Sequence, residues 1–185
     1  GAGLDVEMNE DRVSNYCNWN DRSSSYTGVD VANAMLAIAG HDGFLNCTDE
    51  NFVNGVKDGT IIAGINGAWN SGNVEEAFKE NYNAAKLPTF TLAGNQVQMH
   101  SFAGYKLLVI TAHTKNPEWA MRLAAWLTNE ENQLTRVRKR GEGPSNVKAA
   151  ASEEVQAAPA IKALSEQSAY SHLQNVAETF WTPTF

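Results

Sequence analysis

The stretch Lys57-Asp58-Gly59-Thr60-Ile61-Ile62-Ala63-Gly64-Ile65-Asn66-Gly67-Ala68-Trp69 decides the fold class. Lys57-Asp58-Gly59 carries the chemistry that stops a helix, because glycine takes positive φ without the clash a Cβ would meet. The run 60–65 is short, apolar and rich in β-branched residues, the pattern of a strand covered on both faces. Asn66-Gly67 breaks that run, and Trp69 follows just before a helix can start near Ser71 or Asn73. In open α/β sheets, ligands gather where strand ends run into helices. Two roles for Trp69 stay open on these residues: a flat platform for a ligand, or a plug at the helix–sheet junction.

Outward from this stretch, the apolar spacing of Val31, Ala34, Met35 and Ile38 predicts a helix over 29–39, with Asp30 near its start and Gly40 and Gly43 breaking it. Thr48 is the expected N-cap of a second helix running to about residue 56. After Trp69 come a short polar helix over 74–82, a brief strand over 85–90 ended by Pro88, and a polar loop over 94–104. Lys106-Leu107-Leu108-Val109-Ile110-Thr111 reads as a second buried strand. Asn116 and Pro117 then open a long helix as N-cap and first helical residue, with Trp119, Met121, Leu123, Ala124 and Leu127 as its expected buried stripe. The next helix runs from 129 to 140 with acids first and Arg136, Arg138, Lys139 and Arg140 last, an order that suits the helix dipole. That basic cluster reads as a solvated helix end ahead of an anion site. Residues 141–145 are a hard break, and alanine-rich helical segments follow at 152–157 and 160–167. The first 25 residues are polar and irregular, with a strand expected over 13–19, and the closing aromatic cluster over 180–185 is too apolar for a free tail. Strands alternating with helices indicate an α/β architecture.

At 185 residues the chain suffices for one domain or two small lobes. It is 43% hydrophobic and 19% charged, ordinary for a globular protein. A net charge of −7 argues against general nucleic-acid binding. No apolar run approaches the ~20 residues that cross a bilayer, and Gly1-Ala2-Gly3 looks like the interior of something longer. Cys17 and Cys47 lack the spacing of a zinc or redox pair. They would form one disulfide in a secreted chain and stay free thiols in a cytosolic one; the disulfide is the expectation.

Histidines 41, 100, 113 and 172 show no paired spacing on a helix face, so no metal site is expected. There is no GxSxG elbow, P-loop or GxGxxG after a strand, and no cofactor is implied. Paired acids could make a glycosidase, but Glu75-Glu76, Glu130-Glu131 and Glu153-Glu154 all fall in the first turns of expected helices, where dipole stabilisation accounts for them. No catalytic residue is assigned. Trp19, Trp69, Trp181, Tyr105, Phe102 and Phe180 lie in or beside breaks, whereas Trp119 and Trp126 fall inside a helix and read as core. Apolar walls with few polar fixings are what a small-molecule cleft requires, and a sugar presents C–H faces to aromatic rings and hydroxyls to amides and carboxylates. Asn66, Asp49, Gln98 and Ser101 are the polar partners available, each also explicable as a capping or loop residue.

On these residues the chain resembles the extracellular solute-binding proteins of ABC sugar importers, near the maltodextrin-binding branch. The likeness runs from 57–69 through Lys86-Leu87-Pro88-Thr89-Phe90, 104–111, Asn116-Pro117-Glu118-Trp119-Ala120 and 127–131 to Gly143-Pro144-Ser145-Asn146 and Phe180-Trp181. The resemblance implies a periplasmic-binding-protein-like type II α/β fold, here partial: most of the C-terminal lobe plus the returning segment of the N-terminal lobe. By that likeness 1–102 is the first part of the C-terminal lobe, 103–156 belongs to the N-terminal lobe, and 157–185 returns to the C-terminal lobe. It implies capture of an oligosaccharide for a membrane permease, with Trp69 and Trp181 as stacking aromatics and Asn66 and Asp49 as polar contacts. Location would be extracellular or periplasmic, with a lipoprotein anchor in the former case. Family members are much longer, so the chain is expected to be a fragment whose partner is the missing N-terminal part of the same protein. Ala68 stands where the family often has proline. The alternatives are a binding protein for glycerol-phosphate, an amino sugar or a peptide, and behind them a glycosidase. The lack of Arg or Lys in the loops around Trp69 and Trp181 favours a neutral sugar.

Overall fold

Thr27 starts the first helix by a reciprocal cap: its hydroxyl faces the Asp30 backbone N–H, and the Asp30 carboxylate accepts from the Thr27 backbone N–H. This pins helix α1, Gly28–Ala39, where the apolar spacing places it. The computed structural model describes residues 1–21 and 23–181. It divides into two compact units, the first made of Gly1–Asn46, Leu87–Gly104 and the residues from Gln167 on, the second of Cys47–Lys86 and Tyr105–Glu166.

In the first unit, strands β1 (Val6–Met8) and β2 (Asn15–Cys17) pair antiparallel, so only the middle of the strand expected over 13–19 forms. β3 (Thr89–Leu92) and β4 (Asn95–Gln98) make a hairpin whose two-residue turn, Ala93-Gly94, has both φ angles positive, the geometry that matches strand twist. Leu92 and Val97 of the hairpin pack on Ala34 of α1, with Tyr26, Val31 and Phe90 closing the cluster. β5 (Ser101–Ala103) pairs parallel with β6 (Ser171–Leu173). The loop expected over 94–104 is therefore mostly strand, and the strand expected to end at Pro88 begins after it.

In the second unit, Thr48 caps helix α2 (Asp49–Asp58), accepting from the Asn51 N–H, and Gly59 closes it at φ 80°. Phe52 and Val56 of α2 bury against Ile61, with Val74 and Phe78 of helix α3 (Ser71–Phe78) beside them. Helix α4 (Pro117–Thr128) begins where Asn116-Pro117 predicts, although the Asn116 side chain makes no capping hydrogen bond, and helix α5 (Glu130–Arg140) begins where its acidic first turn predicts, capped by Asn129. Three short helices follow: α6 (Val147–Ala150), α7 (Glu153–Gln156) and α8 (Pro159–Ser168).

Both expected buried strands are corrected. Residues 60–65 and 106–111 are irregular chain without ladder partners among the described residues, with bends at Thr60 and Ile62. Ile61 is held by an N–H bond to the Gly55 carbonyl and packs into the α2 cluster, but Ile62 is 80% exposed and Val109 79%. An apolar run becomes a buried strand only when neighbouring strands supply a ladder and cover along its length, and here only Ile61 is covered. The α4 stripe is corrected for the same reason: Trp119, Met121, Leu123 and Leu127 are exposed and Ala124 is only partly buried, and Trp126, also expected in the core, is exposed. Cys17 and Cys47 are free thiols, one in each unit, so the expected disulfide is absent. Glu75 and Glu76 sit beyond the first turn of α3, which carries no acid. Of the closing cluster, 182–185 lie outside the described residues.

Candidate functional site

The site is built on the N-terminal end of α2 and the chain that follows it. Asp49, the first residue of α2, sits just after the Thr48 cap, where the helix dipole favours a carboxylate. Residues 66–70 turn sharply, with Ala68–Asn70 forming one turn of 3-10 helix before α3. Asn66 holds that turn together: its Oδ1 accepts from the Gly67 N–H at 2.7 Å and from the Asn70 Nδ2 at 2.9 Å. Its Nδ2 donates to Asp49 Oδ1 at 3.3 Å. Asp49 Oδ2 accepts from the Trp69 indole Nε1 at 2.9 Å. Three of the four predicted site residues therefore meet in one hydrogen-bonded group.

Trp69 is 66% exposed. Its six-membered ring lies on Gly67, where any Cβ would sit 2.3 Å from the ring. The ring is thus held at its edge by a carboxylate and on one side by backbone, with most of its surface left to solvent. The indole is therefore not a covered plug at the helix junction.

Trp69 also borders a cavity of about 470 Å³ whose other walls include Glu75, Tyr82, the α5 end Val137–Gly141 and the start of α8. Partial burial, with the Glu75 charge adding to it, pushes the Tyr82 hydroxyl above its usual range. The surroundings of Trp69 lack Arg and Lys along the loop but not in space, because Arg138, Lys139 and Arg140 line this cavity. Two of the three are engaged: Arg138 pairs with Glu154 at 2.9 Å and Arg140 with Glu142 at 3.0 Å. Glu142 also takes Arg136, whose hydrogen bond is the main reason its carboxyl lies below the ordinary range.

Trp181 belongs to the first unit, directly after a 3-10 turn at Glu178–Phe180. It is 57% exposed and meets Phe180 edge-on at 4.9 Å. This segment is tied to the β2 region by Ala177 N–H to Asn15 Oδ1 at 2.7 Å and by Thr179 Oγ1 to the Val13 carbonyl at 2.8 Å. Gln98 and Ser101 serve the scaffold: Gln98 donates to the Leu87 carbonyl, and Ser101 shares a hydroxyl bond with Ser171 at 2.8 Å.

Sequence spacing missed one cluster. His100, just before β5, and His172, on β6, stack at 4.8 Å with Nδ1 and Nε2 only 2.6 Å apart. They line a cavity of about 360 Å³ with Asp5 and Phe102. No sequence signal links two histidines so far apart; the parallel strand pair brings them together. Among the described residues no three His, Cys, Asp or Glu gather as a metal-binding set, and no helix is long and apolar enough to cross a membrane.

Known proteins resemble this chain in sequence and in fold. The description "bacterial extracellular solute-binding protein" matches residues 6–163. A galactooligosaccharide-binding protein of Bacillus subtilis (strain 168) is 36% identical over 132 residues, covering 68% of this chain and 30% of that protein. The maltodextrin-binding protein MdxE of the same organism is 32% identical over 105 residues, covering 56% and 24%. A solved structure with acarbose superposes at a TM-score of 0.76 with 30% identity, covering 95% of this chain and 45% of that one. The ligand-free maltodextrin-binding protein MalE1 of L. casei BL23 superposes at 0.67 with 26% identity, covering 83% and 42%. The chain thus spans less than a third of the curated relatives and under half of the solved chains. These relatives bind solutes and are not enzymes, and the shared fold is a partial periplasmic-binding-protein-like type II α/β fold. With a family match that runs through most of its length, the chain belongs to the bacterial extracellular solute-binding proteins.

Proposed function

We propose that the chain is part of the substrate-binding component of an ABC importer that captures a maltodextrin-like oligosaccharide. The observation that carries this reading is Trp69, an exposed indole pinned by Asp49 and Gly67 beside a cavity of about 470 Å³. Sugar rings would stack on its open surface, with Asn66 and Asp49 as the nearest polar groups and Trp181 as a second stacking aromatic. The oligosaccharide relatives and the acarbose complex support this ligand class. By family likeness, 1–102 and 157–185 would belong to the C-terminal lobe and 103–156 to the N-terminal lobe, although packing within this chain groups 47–86 with 105–166. The rest of the protein would supply the remaining N-terminal lobe, and a membrane permease would receive the sugar. Anchoring would be as an extracellular lipoprotein, or the protein would be free in a periplasm.

A second reading is favoured by one observation. Lys139 lines the same cavity and has no ion pair among the described residues, which suits a phosphorylated solute such as glycerol-phosphate. Calorimetry of the 185-residue chain with maltose, maltotriose and glycerol-phosphate separates the two. Weak maltotriose binding, lowered several-fold by Trp69→Ala without loss of folding, is expected. Preferential binding of glycerol-phosphate would transfer the assignment, and binding of none at millimolar concentration would overturn sugar capture by this surface. Tight maltotriose binding would refute the view that part of the cleft lies elsewhere.

A further inference from the structure

Asp49 has the residue type of a sugar contact, but each of its oxygens already accepts one bond within the protein. Oδ1 faces the Asn66 amide at 3.3 Å and Oδ2 the Trp69 indole at 2.9 Å. Asn66 in turn is bound to the Gly67 N–H and to Asn70, a residue only 9% exposed. The chain of contacts runs from the rigid first turn of α2 through Asp49 to the edge of an exposed ring, and Gly67 supports the ring from beneath.

We infer that Asp49 is a positioning residue: it fixes the plane of Trp69 for ligand stacking and makes no contact with the sugar itself. This rests on the reading of Trp69 as a stacking platform. Two consequences follow from the chemistry. The indole N–H is consumed inside the protein, so Trp69 offers the ligand a surface and no donor. Selection at this position therefore depends on the C–H face of a sugar ring and ignores the acceptors along its edge. A ring fixed in advance also gives up little rotamer freedom on binding, which is worth roughly two- to tenfold in affinity.

The test is a double-mutant cycle on the whole chain, read in two ways: the Trp69 indole N–H resonance, assigned by its absence in Trp69→Phe, and a maltotriose titration. Asp49→Ala should shift or broaden that resonance and weaken maltotriose about two- to tenfold. Asp49→Asn, whose amide oxygen still accepts, should recover much of both. Glu50→Gln, in the same helical turn, should change neither, which separates positioning from any loss of helix stability. In the Trp69→Phe background, where there is no N–H to hold, Asp49→Ala should cost nothing further. An equal loss in that background would show that Asp49 touches the sugar and would overturn the inference. So would an unmoved indole resonance in Asp49→Ala. If the unmodified chain binds no oligosaccharide, the stacking reading fails, while the resonance still decides whether Asp49 holds the ring.

Discussion

Gly67→Ala isolates the support beneath the tryptophan. Gly67 has φ −77° and ψ 153°, which any residue adopts, so a methyl group there causes no backbone strain. Its Cβ would, however, lie 2.3 Å from the indole, against an ordinary contact distance of 3.4 Å or more. The ring must retreat by the difference, about 1.1 Å. Because the bicycle is rigid, Nε1 moves with the ring, and a shift off the ring face lengthens the 2.9 Å bond to Asp49 to about 3.1 Å and tilts it out of line unless the carboxylate follows. A hydrogen bond to a charged acceptor is worth about 1.5–3 kcal/mol, and solvent exposure brings this one toward 1 kcal/mol. The expected result is a maltotriose titration weakened by up to about fivefold, the limit set by full loss of that bond, with a displaced Trp69 indole resonance and little change in melting temperature. Gly59→Ala is the matched contrast. Nothing lies within 4 Å of its would-be Cβ, but its φ is +80°, so strain of about 1–2 kcal/mol falls on stability. That corresponds to roughly 2–8 °C in melting temperature for a chain of this size. The indole resonance should stay in place. If Gly67→Ala leaves resonance and titration untouched, or if Gly59→Ala moves the indole, the reasoning that separates packing from backbone strain is wrong.

Leu92→Ala removes a fully buried side chain from the hairpin–α1 cluster and should cost about 2–5 kcal/mol by chemical denaturation, whereas Leu107→Ala, at an exposed position, should stay within about 0.5 kcal/mol. Partial burial, then the charges of the Gly1 amino group and His172, hold His100 below its usual range, with Asp5 opposing. The folded state therefore favours neutral His100. Its contribution is complete above about pH 6.5, where an unfolded histidine titrates, and is lost as pH falls from there through the lowered folded value. Thermal melts from pH 7.5 to 5 should show this decline, and His100→Gln or His172→Gln should flatten it; an unchanged slope in both variants would refute the coupling.

Helix starts and stops were legible because capping is local chemistry. Thr27 with Asp30, Thr48 with Asn51, Asn129 with Asn132, and Gly59 and Gly141 at positive φ all act within a few residues of chain. Strands were poorly legible because pairing is not local. Residues 60–65 and 106–111 have strand composition without partners, and β5 finds its partner β6 some 70 positions away. The α4 stripe failed likewise: periodicity shows which face is apolar, not whether anything covers it. In the site, Trp69, Asn66 and Asp49 were each visible by type and position. The bond joining Asp49 to the indole spans 20 positions and is set by how 60–67 folds back onto α2, so only the structure shows it. The basic residues beside Trp69 were missed for the same reason.

The uncovered run Leu107-Leu108-Val109-Ile110 has a bearing on how the protein behaves in concentrated solution. Four consecutive exposed apolar residues, ending in the β-branched pair Val109-Ile110 and without ladder partners among the described residues, are a template for pairing with the same run in a second molecule. Only Lys106 and, further on, Lys115 stand near it as charged gatekeepers. The chain should therefore self-associate as its concentration rises, with light scattering growing over hours and thioflavin fluorescence following. Val109→Lys should suppress both without moving the melting temperature.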